Sequence, residues 1–104
     1  EPKWKRAVWK IFRDNYDNPY YGGGEEQPGC WFDFWIGKVH FVLIDGRYYR
    51  ESPKGKNPSM LGSAQMKWLK KTLKEPAAFT VFCTNVPMTP KVKPGSKDTP
   101  SPYN

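Results

Sequence analysis

The spacing of apolar residues changes from helical to alternating and back along the chain, and each change marks an element. Trp4, Val8, Ile11 and Phe12 recur at helical spacing while Lys5, Arg6, Lys10 and Arg13 take the other side, which predicts an amphipathic helix over 4–14. Asp17-Asn18-Pro19 and Gly22-Gly23-Gly24 break the pattern, so Asn15 through Pro28 reads as a long loop. Alternation then sets in. Cys30, Phe32, Phe34 and Ile36 share one face of a strand, and Trp31, Asp33 and Trp35 the other. Gly37-Lys38 offers a two-residue turn, and Val39 to Asp45 follows with Phe41-Val42-Leu43-Ile44 apolar on both sides. Residues 30–45 thus predict a hairpin whose second strand lies between two layers.

Residues 46–61 are rich in Gly, Pro and charge and read as a loop. Gly62 or Ser63 opens a second helix over 63–74, which Pro76 stops. Its expected buried stripe is Ala64, Met66, Leu69 and Leu73, with Lys67, Lys70, Lys71 and Lys74 in water. Ala78 to Thr84 is a further apolar strand ending at Asn85, and 86–104 is a proline-rich loop or tail. Strand, helix and strand from Val39 onward form a βαβ unit, whose crossover is almost always right-handed and whose strands are parallel. The expected fold class is therefore α/β, a hairpin plus a βαβ unit. Asp45 and Asn85 then fall at the carboxyl ends of parallel strands, the edge where open α/β sheets place their ligands. Their loops, 46–62 and 85–99, are expected to line one crevice.

Composition adds limits. The 104 residues suit one small domain, and 16% aromatic content argues for a chain that folds around large rings. The sequence opens at Glu1 without an initiator Met or signal peptide and closes on Thr99-Pro100-Ser101-Pro102-Tyr103-Asn104, so an incomplete chain is expected, processing being the alternative explanation of both ends. The net charge of +7 invites a nucleic-acid reading, but the cations are scattered, no five-residue basic block occurs, and no nucleic-acid reading motif accompanies them. Lysines on the wet faces of two helices account for the charge more simply. Cys30 and Cys83 have no CxxC spacing, and both sit in apolar runs where buried free thiols are common. A single disulfide stays open if the protein is exported. No apolar run approaches the ~20 residues that a membrane span requires.

The candidate chemistry is sparse. Gly22-Gly23-Gly24 lacks the Gly-Lys-Ser/Thr of a phosphate-cradling loop and reads as a flexible turn. His40, the one histidine, sits within a strand and is expected to be a hydrogen-bonded structural residue. A two-metal hydrolase needs several ligands converging on ions ~3.5–4 Å apart, which one His and scattered carboxylates do not supply. Ser59, Ser63, Ser96 and Ser101 have no histidine in a triad arrangement. The richest polar cluster is Asp45-Gly46-Arg47-Tyr48-Tyr49-Arg50, beginning where the buried strand ends. Arg47 and Arg50 are suited to bidentate contacts with phosphate oxygens; alternatively Arg47 pairs with Asp45 and only fixes the loop.

Several stretches taken in order resemble a known family. The run from Pro28 to Phe41 looks like the hairpin of the PhoD-like alkaline phosphatases, with its aromatic-rich first strand and Gly-X turn. Leu43-Ile44-Asp45-Gly46-Arg47-Tyr48-Tyr49-Arg50 resembles that family's Asp-x-Arg-x-x-Arg element, and Met60-Leu61-Gly62, Gln65 and Trp68-Leu69 its second-helix start. Val86-Pro87, Gly95-Ser96-Lys97-Asp98-Thr99, and the earlier Phe12-Arg13-Asp14-Asn15-Tyr16 and Pro19-Tyr20-Tyr21-Gly22 are similar too. The likeness covers about residues 6–99, and it implies that residues 1–104 are an internal segment of one catalytic domain.

The resemblance implies a place in the calcineurin-like metallophosphoesterases, whose fold is a four-layer α/β/β/α sandwich. It implies a phosphatase that hydrolyses phosphate mono- or diesters with metal-activated water, calcium and iron being the metals of this branch, and an exported (secreted or periplasmic) protein. The family's metal-ligand motifs have no counterpart here, so the metals would be held mainly outside this chain. The partners implied are the remaining segments or chains of the same enzyme and a phosphate ester. Where related enzymes carry a ligand histidine this sequence has Asn85, and the candidate site residues are Arg47 and Asn85. Other functions in view are a non-catalytic binding module derived from that fold and a basic, aromatic-rich nucleic-acid binder.

Overall fold

The computed structural model describes residues 2–86. The expected proline-rich tail, the Val-Pro turn at Pro87, the Gly95–Thr99 stretch and the bulk of loop 85–99 lie outside the described residues. The described residues form two helices and three strands in the order α1 (Lys5–Asn15), β1 (Phe32–Ile36), β2 (Val39–Leu43), α2 (Gly62–Thr72) and β3 (Phe79–Cys83). The sheet is mixed, ordered β1-β2-β3, with β1 antiparallel to β2 and β2 parallel to β3. It is an α/β arrangement, as the alternating periods predict. Gly37 makes the hairpin turn with φ +57, a conformation that side chains with a Cβ resist.

Register assigns the faces. Asp33 and Trp35 stand beside Val42 and His40, and these beside Phe82 and Thr80. On this side Val42 and Ile44 pack with Met60, Leu61, Leu69 and Val86, with Trp68 half-buried against them. The other side is made of Phe32, Phe34 and Ile36, of Val39, Phe41 and Leu43, and of Phe79, Val81 and Cys83. It is apolar throughout, with Ile36 and Phe79 63% and 65% exposed. The expectation of two layers around β2 is therefore met on one side only among the described residues.

Both helices bury a different stripe from the one hydrophobicity predicts. On α2 the buried positions are Gln65, Leu69 and Thr72, preceded by Leu61, while Met66 and Leu73 face outward. The reason is a hydrogen-bonding task. Gln65 Oε1 accepts from Asp45 N at 2.7 Å, and its Nε2 donates to Asp45 O at 2.8 Å and to Leu61 O at 3.2 Å. Past the end of β2 the backbone has no strand partner on this side, and a buried N–H and C=O must find one. Gln65 takes both. Neither Gly62 nor Ser63 caps α2; its first residue, Gly62, donates its N–H to Ser59 Oγ at 2.8 Å.

On α1 the expected apolar stripe is the exposed one: Trp4, Val8 and Ile11 are at least half open to solvent. The helix docks instead through Lys5, Trp9, Phe12 and Arg13, which lie on one face. The Trp9 indole N–H donates to Gly29 O at 2.8 Å and the Arg13 guanidinium lies 5.1 Å from the Trp9 ring centre. Glu25 binds Arg13, Arg6 and Lys10, the last two at 3.1 and 3.7 Å. Bonding to Arg13, then Arg6, holds the Glu25 carboxyl below its usual range despite some desolvation. The cations of α1 are thus partners of the following loop as well as a wet face.

A polar chain ties that loop to both strands and α2. The Asp33 carboxylate receives the Tyr20 hydroxyl on one oxygen and His40 Nε2 at 2.7 Å on the other. Tyr20 Oη in turn accepts from Asp33 N at 3.0 Å and from Trp68 Nε1 at 3.1 Å. His40 is 1% exposed and stacks on Trp35 with ring centres 4.1 Å apart, a structural position as expected.

Burial first, and the bond to Asp33 second, push the Tyr20 hydroxyl up to about 12. An unfolded tyrosine ionises near 10. The fold binds that proton more tightly, so the stabilisation is complete below about pH 10 and is lost as pH rises toward 12. Ultraviolet titration is expected to show one tyrosine ionising well after the rest, coincident with a falling melting temperature. Tyr20→Phe should remove that late step; its persistence would refute the assignment.

Candidate functional site

The polypeptide leaves β2 through Ile44 and turns sharply at Asp45-Gly46. Asp45 is buried, and its carboxylate accepts three backbone N–H groups: Cys30 at 2.9 Å on Oδ2, and Arg47 at 2.9 Å and Tyr48 at 3.0 Å on Oδ1. A carboxylate so engaged folds the loop back on itself and joins it to the strand before β1. Asp45 thus holds Arg47 by its main chain, and no ion pair between the two side chains occurs among the described residues. The alternative in which the Arg47 guanidinium anchors the loop through Asp45 does not match this geometry.

Asn85 leaves the parallel neighbour β3 at the same level. Its Oδ1 accepts the Gly46 N–H at 3.1 Å, so the two strand ends are stitched together side chain to main chain. The approach is close: a Cβ on Gly46 would meet Asn85 Oδ1 at 2.9 Å and Val86 Cγ2 at 3.1 Å. A side chain at Gly46 would have to displace the Asn85 amide, and with it the bond that joins the two strand ends.

A cavity of about 660 Å³ opens beside this junction. It is lined by Cys30, Asp45, Arg47, Tyr48, Arg50 and Asn85, by Trp4, and by Lys5, Val8, Trp9 and Phe12 of α1. The structure therefore brings Arg47 and Asn85 to one cleft, as their placement after parallel strands predicts. Lys5 lies 4.3 Å from the Tyr48 ring centre, which places a further cation at the same opening.

The helical wall of the cleft was not legible as part of the site. Trp4, Val8 and Phe12 carry the pattern of a helix packed into a core, and only the docking of Trp9 on Gly29 turns that stripe outward. Cys30, expected as a buried thiol, is half-buried and free, as is Cys83. Burial and the neighbouring Asp45 carboxylate push the Cys30 thiol up to about 11. Both effects favour the protonated thiol, which is a poorer nucleophile than the thiolate.

The donor set for a metal is thin. Among the described residues no group of three or more His, Cys, Asp or Glu side chains converges. Asp45 spends its oxygens on backbone N–H groups, and the buried His40 is bound to Asp33. These residues do not fit calcium or iron, and the cleft offers instead cationic and amide groups suited to an anion. No helix among the described residues is long and apolar enough to cross a membrane. The chain matches no protein-family model, no curated protein and no solved structure.

Proposed function

We propose that the chain forms part of a metal-dependent phosphatase of the kind the PhoD-like resemblance implies, contributing the phosphate-binding wall and not the metal ligands. The observation that carries this is the meeting of the Arg47 and Asn85 loops at the carboxyl ends of β2 and β3. In this role Arg47 makes charge-assisted hydrogen bonds to phosphate oxygens, and Asn85 offers its amide N–H₂ while its oxygen stays with Gly46. Metals such as calcium and iron, and the water they activate, belong to other segments or chains of the same enzyme. A second sheet from those segments would cover the apolar side of β1-β2-β3 and complete a four-layer sandwich, in an exported protein.

Two results are expected. This polypeptide alone turns over no phosphomonoester above background, and chelator-sensitive turnover would overturn that. It binds inorganic phosphate weakly, and Arg47→Ala lowers that affinity about tenfold, the loss expected of one charged hydrogen bond. Arg47 is exposed, so the melting temperature should hold. Unchanged phosphate affinity with a depressed melting temperature would make Arg47 a loop residue and remove the basis for the proposal.

A further inference from the structure

The cleft that holds Arg47 and Asn85 is faced by an exposed apolar wall, and the two are parts of one cavity. At about 660 Å³ that cavity has the size of a small-molecule site, far more than a bare phosphate needs. Trp4 is 64% and Val8 51% exposed, although the same helix has a cationic face to offer to water. Their exposure follows from how α1 docks. The Trp9–Gly29 bond and the Glu25 cluster fix how the helix docks, with Arg6 and Lys10 still half exposed, and leave Trp4, Val8 and Phe12 lining the opening. The cations Arg47, Arg50 and Lys5 therefore share one cavity with the rings of Trp4, Trp9 and Phe12 and the branched side chain of Val8.

We infer that the site takes a phosphate ester with a flat apolar arm, an aryl ester above all, with the phosphate toward Arg47 and the arm on Trp4, Val8 and Phe12. This presupposes the phosphate site proposed above and adds its substrate class. Charge complementarity fixes the anionic end. The rings fix the other, because an aryl group stacks on indole and phenyl faces and displaces water from them. An unsubstituted or sugar phosphate would leave that wall wet and gain nothing from it.

Calorimetric titration of the chain with phenyl phosphate, inorganic phosphate and benzyl alcohol tests this. Phenyl phosphate is expected to bind on the order of tenfold more tightly than inorganic phosphate, as burial of one ring against a half-open wall predicts. Trp4→Ala and Val8→Gln, both uncharged changes at exposed positions, should abolish that advantage and leave inorganic phosphate affinity unchanged. Equal affinity for phenyl and inorganic phosphate, or an advantage that survives both substitutions, would overturn the inference and leave the phosphate site standing. Benzyl alcohol binding as tightly as phenyl phosphate would also overturn it, since the wall would then belong to an apolar contact unrelated to the anion. Absence of binding by either phosphate would overturn the phosphate site itself.

Discussion

Asp45→Ala is expected to lower the stability of the chain by about 3–5 kcal/mol, a large share of the ~5–15 kcal/mol that a domain of ordinary stability possesses. The carboxylate of Asp45 is the acceptor for the N–H groups of Cys30, Arg47 and Tyr48, and its own main chain is held by Gln65. Alanine leaves three donors unpaired in a part of the protein where Asp45 and Gly46 are buried. Such a group forfeits its bond and keeps its desolvation penalty, which is why the loss exceeds that of a surface contact. Asp45→Asn keeps the shape and one oxygen, so it should retain the pair at Arg47 and Tyr48, lose the Cys30 bond, and fall between the two. Gln65→Ala should approach the alanine variant, because it uncovers both the N–H and the C=O of Asp45. Urea denaturation with an unchanged dependence on denaturant measures each loss. A cost below about 1 kcal/mol for Asp45→Ala would mean that water reaches these groups and that the junction is looser than its distances imply.

The same junction explains what the sequence does and does not disclose. The hairpin, the parallel pairing of β2 with β3, and the meeting of Asp45 and Asn85 at one edge follow from local alternation and the crossover rule, and they stand. The strand faces are equally legible, since a period of two leaves only one way to divide Phe32, Phe34 and Phe41 from Asp33, His40 and Val42. Helix orientation is not legible in this way. Met66 and Leu73 outrank Gln65 and Thr72 on any hydrophobic scale, yet Gln65 is fully buried because the backbone beyond β2 needs a donor and an acceptor together. On α1 the decisive residue is Trp9, which sits among cations and counts for little in the stripe of Trp4, Val8 and Ile11. Its indole N–H finds Gly29 O some twenty residues away, and Glu25 collects the surrounding cations. Both misreadings share one cause. Periodicity reports where oil is concentrated, whereas these helices are positioned by long-range hydrogen bonds that no local pattern encodes.

The chain in isolation is expected to bind a hydrophobic dye strongly and to self-associate with rising concentration, because one whole side of its sheet is apolar. Phe34 and Phe41 stack across the β1–β2 pair with ring centres 4.8 Å apart and planes within 2°, a flat surface continued by Phe32 and Leu43 on one side and Ile36 and Val39 on the other. Monomeric proteins rarely expose contiguous apolar patches beyond a few hundred Å². Among the described residues β1 and β3 are edge strands as well, and apolar edges are templates for association. Ile36→Lys with Phe79→Lys tests the idea at little structural cost, since both side chains are largely in solvent. Sedimentation should show the wild-type chain associating and the double variant at least tenfold less prone to it, with the melting temperature nearly unchanged. Lysine on an outer strand repels a second copy by charge and hydrates the edge, so the effect falls on association and not on the fold. A wild-type chain that stays monomeric, excludes the dye and melts in one sharp transition would show that this side of the sheet needs no cover, and with it would fall the proposal that other segments of an enzyme pack there.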